Sequence, residues 1–211
     1  MNSLRIKICG MKYPDNMAQI AAVKPDYMGF IFYAGSPRYV GGDFNPESLN
    51  MLPASIKKTG VFVNQPLKEI QATGKQYHLD LIQLHGSETP EFCKEIRKDI
   101  PVIKAFGLDA SFDFNRLQSY VGAVDYFLFD TRTTEHGGSG KKFDWDILKN
   151  YTMDIPFFLS GGIAPDDIMT IEKFRSEFPL LYGIDLNSRF EISPAVKDAL
   201  LLKGLLEGMG R

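Results

Sequence analysis

The chain has 211 residues, 44% of them apolar and 24% charged, with a formal net charge of −2. This is an ordinary globular composition of one domain or at most two, without the basic excess of a nucleic-acid binder. No apolar run approaches the ~20 residues of a membrane span, the start MNSLRIKICG lacks a signal-peptide core, and Cys9 and Cys93 form no disulfide framework. The expectation is a cytoplasmic protein with no nucleic-acid or membrane partner. Three scattered histidines (His78, His85, His136) offer no metal-ligand spacing, so no metal is expected.

Leu4 to Cys9 alternates with period two and stops at Gly10, as a strand does. Pro14-Asp15 opens a helix carrying Met17, Ile20 and Ala21 on one face. Tyr27 to Phe32 is a continuous apolar strand of the kind buried on both faces in a parallel sheet. A loop holding Ser36-Pro37-Arg38 follows, then a weak helix from Pro46 to Leu52. Lys58 to Val63 is the third strand, ended by Asn64, and Pro66 starts the next helix. Leu79 to Leu84 is the fourth, closing in His85-Gly86, and Thr89-Pro90-Glu91 caps a helix with Cys93 facing inward.

Val102 to Phe106 is the fifth strand, followed by a helix around Phe112 to Tyr120. Ala123 to Asp130 is the sixth, followed by a polar loop from Thr131 to Lys142 and a helix near Asp144 to Asn150. Phe157 to Leu159 and Leu180 to Tyr182 are the seventh and eighth. The seventh leads through Ser160-Gly161-Gly162 into a helix opened by Pro165-Asp166-Asp167. The eighth leads through Gly183 to Ser188 into a long terminal helix from Ser193-Pro194.

Eight strand-and-helix units predict an α/β protein, a single (β/α)8 barrel over residues 1–211, at about 26 residues per unit. An open doubly wound sheet fits poorly, because it would carry its phosphate loop after the first strand. The stretch Glu135 to Lys142 resembles a P-loop but has its first glycine out of register and Lys142 where Ser or Thr is needed.

Barrel active sites sit at the C-terminal ends of the strands, and phosphates bind at the corners after strands seven and eight. The strand ends offer Cys9, Arg38, Asn64, His85, Lys104, Asp130, Gly161-Gly162 and Asp185. Cys9 and Asp130 lie three strands apart around the barrel, facing each other across the mouth. Either residue alone would read as a buried thiol or a turn aspartate. As an opposed pair beside a phosphate cradle they read as acid and base. Lys104 reads as a barrel-lining lysine.

These pieces, in this order, resemble the phosphoribosylanthranilate isomerases: Lys7-Ile-Cys-Gly10, Gly29-Phe-Ile-Phe32 with Ser36-Pro-Arg38, Gly60 to Asn64, Gln83-Leu-His-Gly86 and Asp130-Thr131. Gly138-Ser139-Gly140, Phe143-Asp-Trp145, Ser160-Gly-Gly162 with Pro165, and Gly183-Ile-Asp185 through Ser188 and Glu191 complete the set. The resemblance spans nearly the whole chain. It implies an Amadori rearrangement of a phosphosugar substrate without a cofactor, Asp130 serving as general acid and Cys9 as general base. It also implies phosphate contacts at Gly138, Ser139, Gly140, Gly161, Gly162, Asn187 and Ser188. Arg38 and, more weakly, His85 would lie at the anthranilate end, and Asp185 at the sugar. The charge of Lys7, two residues before Cys9 on the same strand face, would favour the thiolate.

Lys12 and Arg189 depart from the family pattern, which places threonine and glycine there. Nothing explains Lys12. Arg189 raises the question of whether a positive φ is needed at the phosphate. The alternatives are a related histidine- or tryptophan-pathway phosphosugar barrel, against which Cys9 argues, and a non-catalytic phosphosugar-binding barrel. A monomer is expected.

Overall fold

The computed structural model describes residues 3–131 and 144–211. Eight parallel strands pair in chain order and β8 closes on β1: β1 (Arg5–Cys9), β2 (Tyr27–Ile31), β3 (Lys57–Phe62), β4 (Leu81–Leu84), β5 (Val102–Leu108), β6 (Tyr126–Thr131), β7 (Phe157–Leu159) and β8 (Leu181–Leu186). The predicted barrel is therefore present. Among the described residues, five α-helices lie outside it: α1 (Pro14–Ala22), α2 (Leu67–Gln76), α3 (Pro90–Arg97), α4 (Ile168–Glu177) and α5 (Ala199–Gly208).

After β2, β5 and β6 the expected helices are 3-10 segments, Pro46–Met51, Phe114–Tyr120 and Trp145–Asn150. Each is preceded by an Asn or Asp whose side chain accepts from the amide two residues on: Asn45 from Glu47, Asp113 from Asn115 and Asp144 from Asp146. That turn chemistry favours a tight coil. Each segment still buries one leucine against the barrel (Leu49, Leu117, Leu148), which is why a helical period was visible.

Two expectations need correction. Asp185 was read into the loop after the last strand, but β8 continues through Gly183, Ile184 and Asp185 to Leu186. A buried acid interrupts the apolar run, and only its partner on β1, Lys7, makes the position tolerable. The terminal helix does not begin at Ser193-Pro194. β9 (Glu191–Ser193) and β10 (Val196–Lys197) form an antiparallel hairpin, and α5 starts after Asp198, whose carboxylate caps the Leu200 and Leu201 amides at 2.9 and 3.1 Å. Ser193-Pro194 looked like a helix start, whereas the operative cap lies five residues further on.

The inside of the barrel is divided by height. Its lower layers hold Tyr27, Leu81, Ile103, Ala105, Leu128 and Phe158, closed by Tyr126 and Tyr182. Tyr27 and Tyr182 hydroxyls meet at 2.8 Å, so the aromatic plug keeps its polar tips satisfied. Above this plug the strands switch to Lys7, Cys9, Gln83, Asp130 and Asp185. The larger apolar cluster lies between strands and helices. The site thus rests on a filled floor.

Candidate active site

Cys9 ends β1 and is only 4% exposed, so it is less open to solvent than a strand-end position suggested. Lys7, on the same face, is fully buried, and its ammonium donates to Asp185 Oδ1 at 2.9 Å with its charge close to the Cys9 sulfur. β1 and β8 bring this about directly, since Lys7 and Asp185 are paired in register. Room for the cluster comes from Gly29 on β2. A Cβ there would stand 2.8 Å from Cys9 Sγ and 3.2 Å from Lys7 Nζ.

Burial works against the Lys7 ammonium, yet Asp185 and Cys9 hold its pKa above the ordinary value. Burial also raises the Asp185 carboxyl. At 2.9 Å from a lysine held in its charged form, the pair remains an ion pair. Burial raises the Cys9 thiol as well, and Lys7 offsets this only in part. The Lys7 charge thus favours the thiolate, as expected, but burial outweighs it and holds the thiol above its ordinary value.

Asp130 lies near the end of β6, reached from β1 through β8 and β7. Its side chain is about one-fifth exposed, and burial pushes its pKa up to about 6 against the donated amide of Thr131 at 2.8 Å. A carboxyl of this kind can carry a proton near neutrality. His85 Nε2 stands 3.7 Å from Asp130 Oδ2, and Gln83 Nε2 lies 3.3 Å from the other ring nitrogen. Burial and the Lys104 charge push His85 down to about 4, which keeps it neutral. His85 thus sits beside Asp130.

Lys104 is buried as expected of a barrel-lining residue. It donates to Glu88 and to the Leu84, Gly86 and Ala105 carbonyls. Asn64 has φ +53, accepts from Ser87 and gives its own amide to Glu88, tying two loops together rather than facing a substrate.

On the opposite rim, Gly161 and Gly162 have φ +91 and +70, so the chain curls as it leaves β7. A Cβ at Gly161 would collide with Thr131 at the end of β6. Ser188 begins a short 3-10 turn, Ser188–Phe190, that includes Arg189, and Arg189 is not among the residues of positive φ. The arginine therefore imposes no left-handed strain where the family pattern has glycine. Gly138, Ser139 and Gly140 lie outside the described residues.

Arg38 arrives from the loop after β2 and lies against the end of β1. Its Cδ would be 2.7 Å from a Cβ at Gly10, which has φ +81. Its Nε lies 2.9 and 3.1 Å from the two Glu191 oxygens, and Nη2 lies 2.7 Å from Oε2. Lys197 is fully buried beside them, donating to Glu191 Oε1 and Asn187 Oδ1, both at 2.6 Å. Sequence reasoning matched Glu191 as part of a motif but gave it no role. It missed Lys197, because that residue was assigned to a helix. No local signal marked it, since Lys197 stands between Val196 and Asp198 as a surface lysine would.

A family model described as N-(5'phosphoribosyl)anthranilate (PRA) isomerase matches residues 6–208. The N-(5'-phosphoribosyl)anthranilate isomerase of Parabacteroides distasonis is 45% identical over 96% of this chain and 91% of its own length. The crystal structure of phosphoribosyl anthranilate isomerase from Thermus thermophilus superposes with a TM-score of 0.87 at 27% identity, covering 98% of both chains. A second such isomerase, crystallised in complex with reduced 1-(o-carboxyphenylamino)-1-deoxyribulose 5-phosphate, gives a TM-score of 0.82 at 28% identity, again over 98% of each. With the barrel, the strand-end residues and these likenesses in agreement, the chain belongs to the phosphoribosylanthranilate isomerase family.

Proposed function

We propose that Asp130 and Cys9 are the acid and base with which this chain performs its family's reaction. That reaction is the Amadori rearrangement of N-(5-phosphoribosyl)anthranilate to 1-(2-carboxyphenylamino)-1-deoxyribulose 5-phosphate in tryptophan biosynthesis. The observation that carries this reading is the opposition of a carboxyl raised to about 6 on β6 and a thiol beside the Lys7 charge on β1 above one closed floor. Asp130 gives its proton to the furanose ring oxygen as the C1′–O bond breaks, leaving a protonated Schiff base. Cys9 then removes the proton from C2′, and the electron pair moves toward the iminium nitrogen to form the enolamine, which tautomerises to the ketone. The substrate's nitrogen is the electron sink, so the steps use no cofactor.

The cationic iminium and Lys7 both favour the thiolate, which offsets the effect of burial on Cys9 when the intermediate is in place. Asp185, fixed by Lys7, orients the sugar hydroxyls. The phosphate takes the amides around Gly161-Gly162 and Asn187-Ser188. Arg38 takes the anthranilate carboxylate, with His85 near the same end. The single barrel domain is taken to act as a cytoplasmic monomer; its large exposed apolar residues include Met51, Met169 and Ile192 on separate elements and the adjacent Leu200 and Leu201 on α5. Light scattering would give twice the 23.7 kDa chain mass if that reading failed.

The direct test is incubation with freshly made phosphoribosylanthranilate while its anthranilate fluorescence is followed. Fluorescence should fall with enzyme and persist with Cys9→Ser or Asp130→Asn. Undiminished loss with both variants would remove these residues from the chemistry.

A further inference from the structure

Arg38 does not approach the mouth as a free fork. Its Nε–Nη2 edge is occupied by Glu191, with three contacts between 2.7 and 3.1 Å. Glu191 Oε1 also accepts from Lys197 Nζ at 2.6 Å and from the Ala195 amide at 3.1 Å. Every acceptor position on this carboxylate is therefore used, and it cannot swing away without leaving cations unpaired. Ala195 holds φ +67, a conformation that disfavours any side chain by about 1–2 kcal/mol, and it is this turn that aims its N–H at Glu191. The two strands of the hairpin meet at Glu191 and Lys197. Asn16 of α1 clamps Lys197 from both sides, through its backbone N–H at 2.8 Å and its C=O at 2.9 Å.

Charge follows the same arrangement. An arginine paired with a glutamate is neutral toward an incoming anion. With Lys197 the buried trio carries a net single positive charge, and its side chains are at most 7% exposed. The part of the guanidinium without a recorded partner among the described residues is Nη1. This leaves the Nη1–Nη2 edge as the one that can meet a planar carboxylate with two parallel N–H donors.

We propose that Glu191 is the positioning residue that fixes Arg38 by its Nε–Nη2 edge and thereby presents the Nη1–Nη2 edge to the substrate's aromatic carboxylate, with Lys197 restoring the positive charge that Glu191 alone would cancel. The inference rests on the assignment of Arg38 to the anthranilate carboxylate. It deepens that reading, because it makes specificity for a carboxylated aromatic amine a property of the C-terminal hairpin. The same Lys197 holds Asn187 at 2.6 Å, so the device also steadies the loop assigned to the phosphate.

The experiment compares two substrates, phosphoribosylanthranilate and the phosphoribosyl derivative of aniline, which lacks the carboxylate, with product measured by chromatography. Variants are made in the full chain: Arg38→Met, Glu191→Gln and the double variant Glu191→Gln/Lys197→Met. The double variant removes one buried charge of each sign, so it guards against simple misfolding. Arg38→Met should raise KM for the anthranilate substrate and spare the aniline one.

Glu191→Gln and the double variant should each raise KM for the anthranilate substrate by about tenfold, on the order of one charge-assisted hydrogen bond. Glu191→Gln should leave kcat/KM for the aniline substrate within about twofold, since no carboxylate is there to be positioned, and the double variant, which also releases Asn187, should lower it by less than it lowers the value for the anthranilate substrate. If Arg38→Met fails to discriminate the substrates, the assignment of Arg38 is wrong. If Arg38→Met discriminates but neither Glu191 variant does, or if those variants damage both substrates equally, Glu191 is structural only and this inference falls alone.

Discussion

Asp130 and Cys9 must hold opposite protonation states, and their surroundings treat them differently. Burial lifts Asp130 to about 6, so at pH 7 about one molecule in ten carries the acidic proton. Asp130→Asn should lower kcat by at least about a hundredfold, in line with loss of a general acid, while affinity for a reduced product analogue stays within a few-fold. Retention of more than about a tenth of kcat would end the acid assignment. Cys9 is the harder case. Burial raises its thiol, so fewer free molecules carry the thiolate at neutral pH than an exposed cysteine would give, and alkylation by iodoacetamide should be slow there and climb as pH rises. Lys7→Met removes the largest opposing influence and should move the rise in alkylation to still higher pH. Cys93, fully buried and pushed up to about 12, is the internal control. Peptide mapping that found Cys93 modified before Cys9 would reverse this ordering.

Among the elements, the C-terminal hairpin is where sequence and structure part company. The strands were legible because parallel barrel strands are apolar runs bounded by Gly, Asn or His, and the opposed positions of Cys9 and Asp130 followed from counting them. The Asp185–Lys7 pair was only half legible. Lys7 declared its face through the period of β1, whereas Asp185 read as part of the loop leaving the last strand. The Arg38–Glu191–Lys197 trio could not be read at all. Its members are distant in sequence, and nothing local distinguishes a buried lysine in a two-residue strand from a surface one.

That trio also gives the site a pH limit. Burial lowers Lys197 to about 8 against the attraction of Glu191 and the neighbouring Cys9, with Arg38 lowering it further. The group is charged below that value and loses its charge as pH rises through it. Affinity for the carboxylated substrate should therefore fall above about pH 8, by measurement of KM across the range, and the aniline analogue should not show this fall. A KM for the anthranilate substrate that stayed flat from pH 7 to about 9.5 would mean that the lysine remains charged throughout.

For the molecule as a whole, the barrel interior sets stability against activity by height. The lower layers are aromatic and aliphatic, and each fully buried side chain such as Phe158 contributes about 1.5–3 kcal/mol by removal from water. The upper layer contains an ion pair, Lys7 and Asp185, with side chains 0% and 6% exposed. Taking two charges out of water commonly offsets their attraction, so such a pair adds little to stability, whereas removing one partner strands the other. Lys7→Met alone should therefore destabilise the fold by about 3–5 kcal/mol, read as a shift in the denaturant midpoint at unchanged slope. Lys7→Met combined with Asp185→Leu should recover most of that loss and match or exceed the parent. Catalysis should not recover with it, because the double variant has neither the cation beside Cys9 nor the carboxylate at the sugar. An active double variant would show that the buried pair serves the fold and not the reaction. A double variant no more stable than Lys7→Met would show that the charges hold the mouth of the barrel together after all.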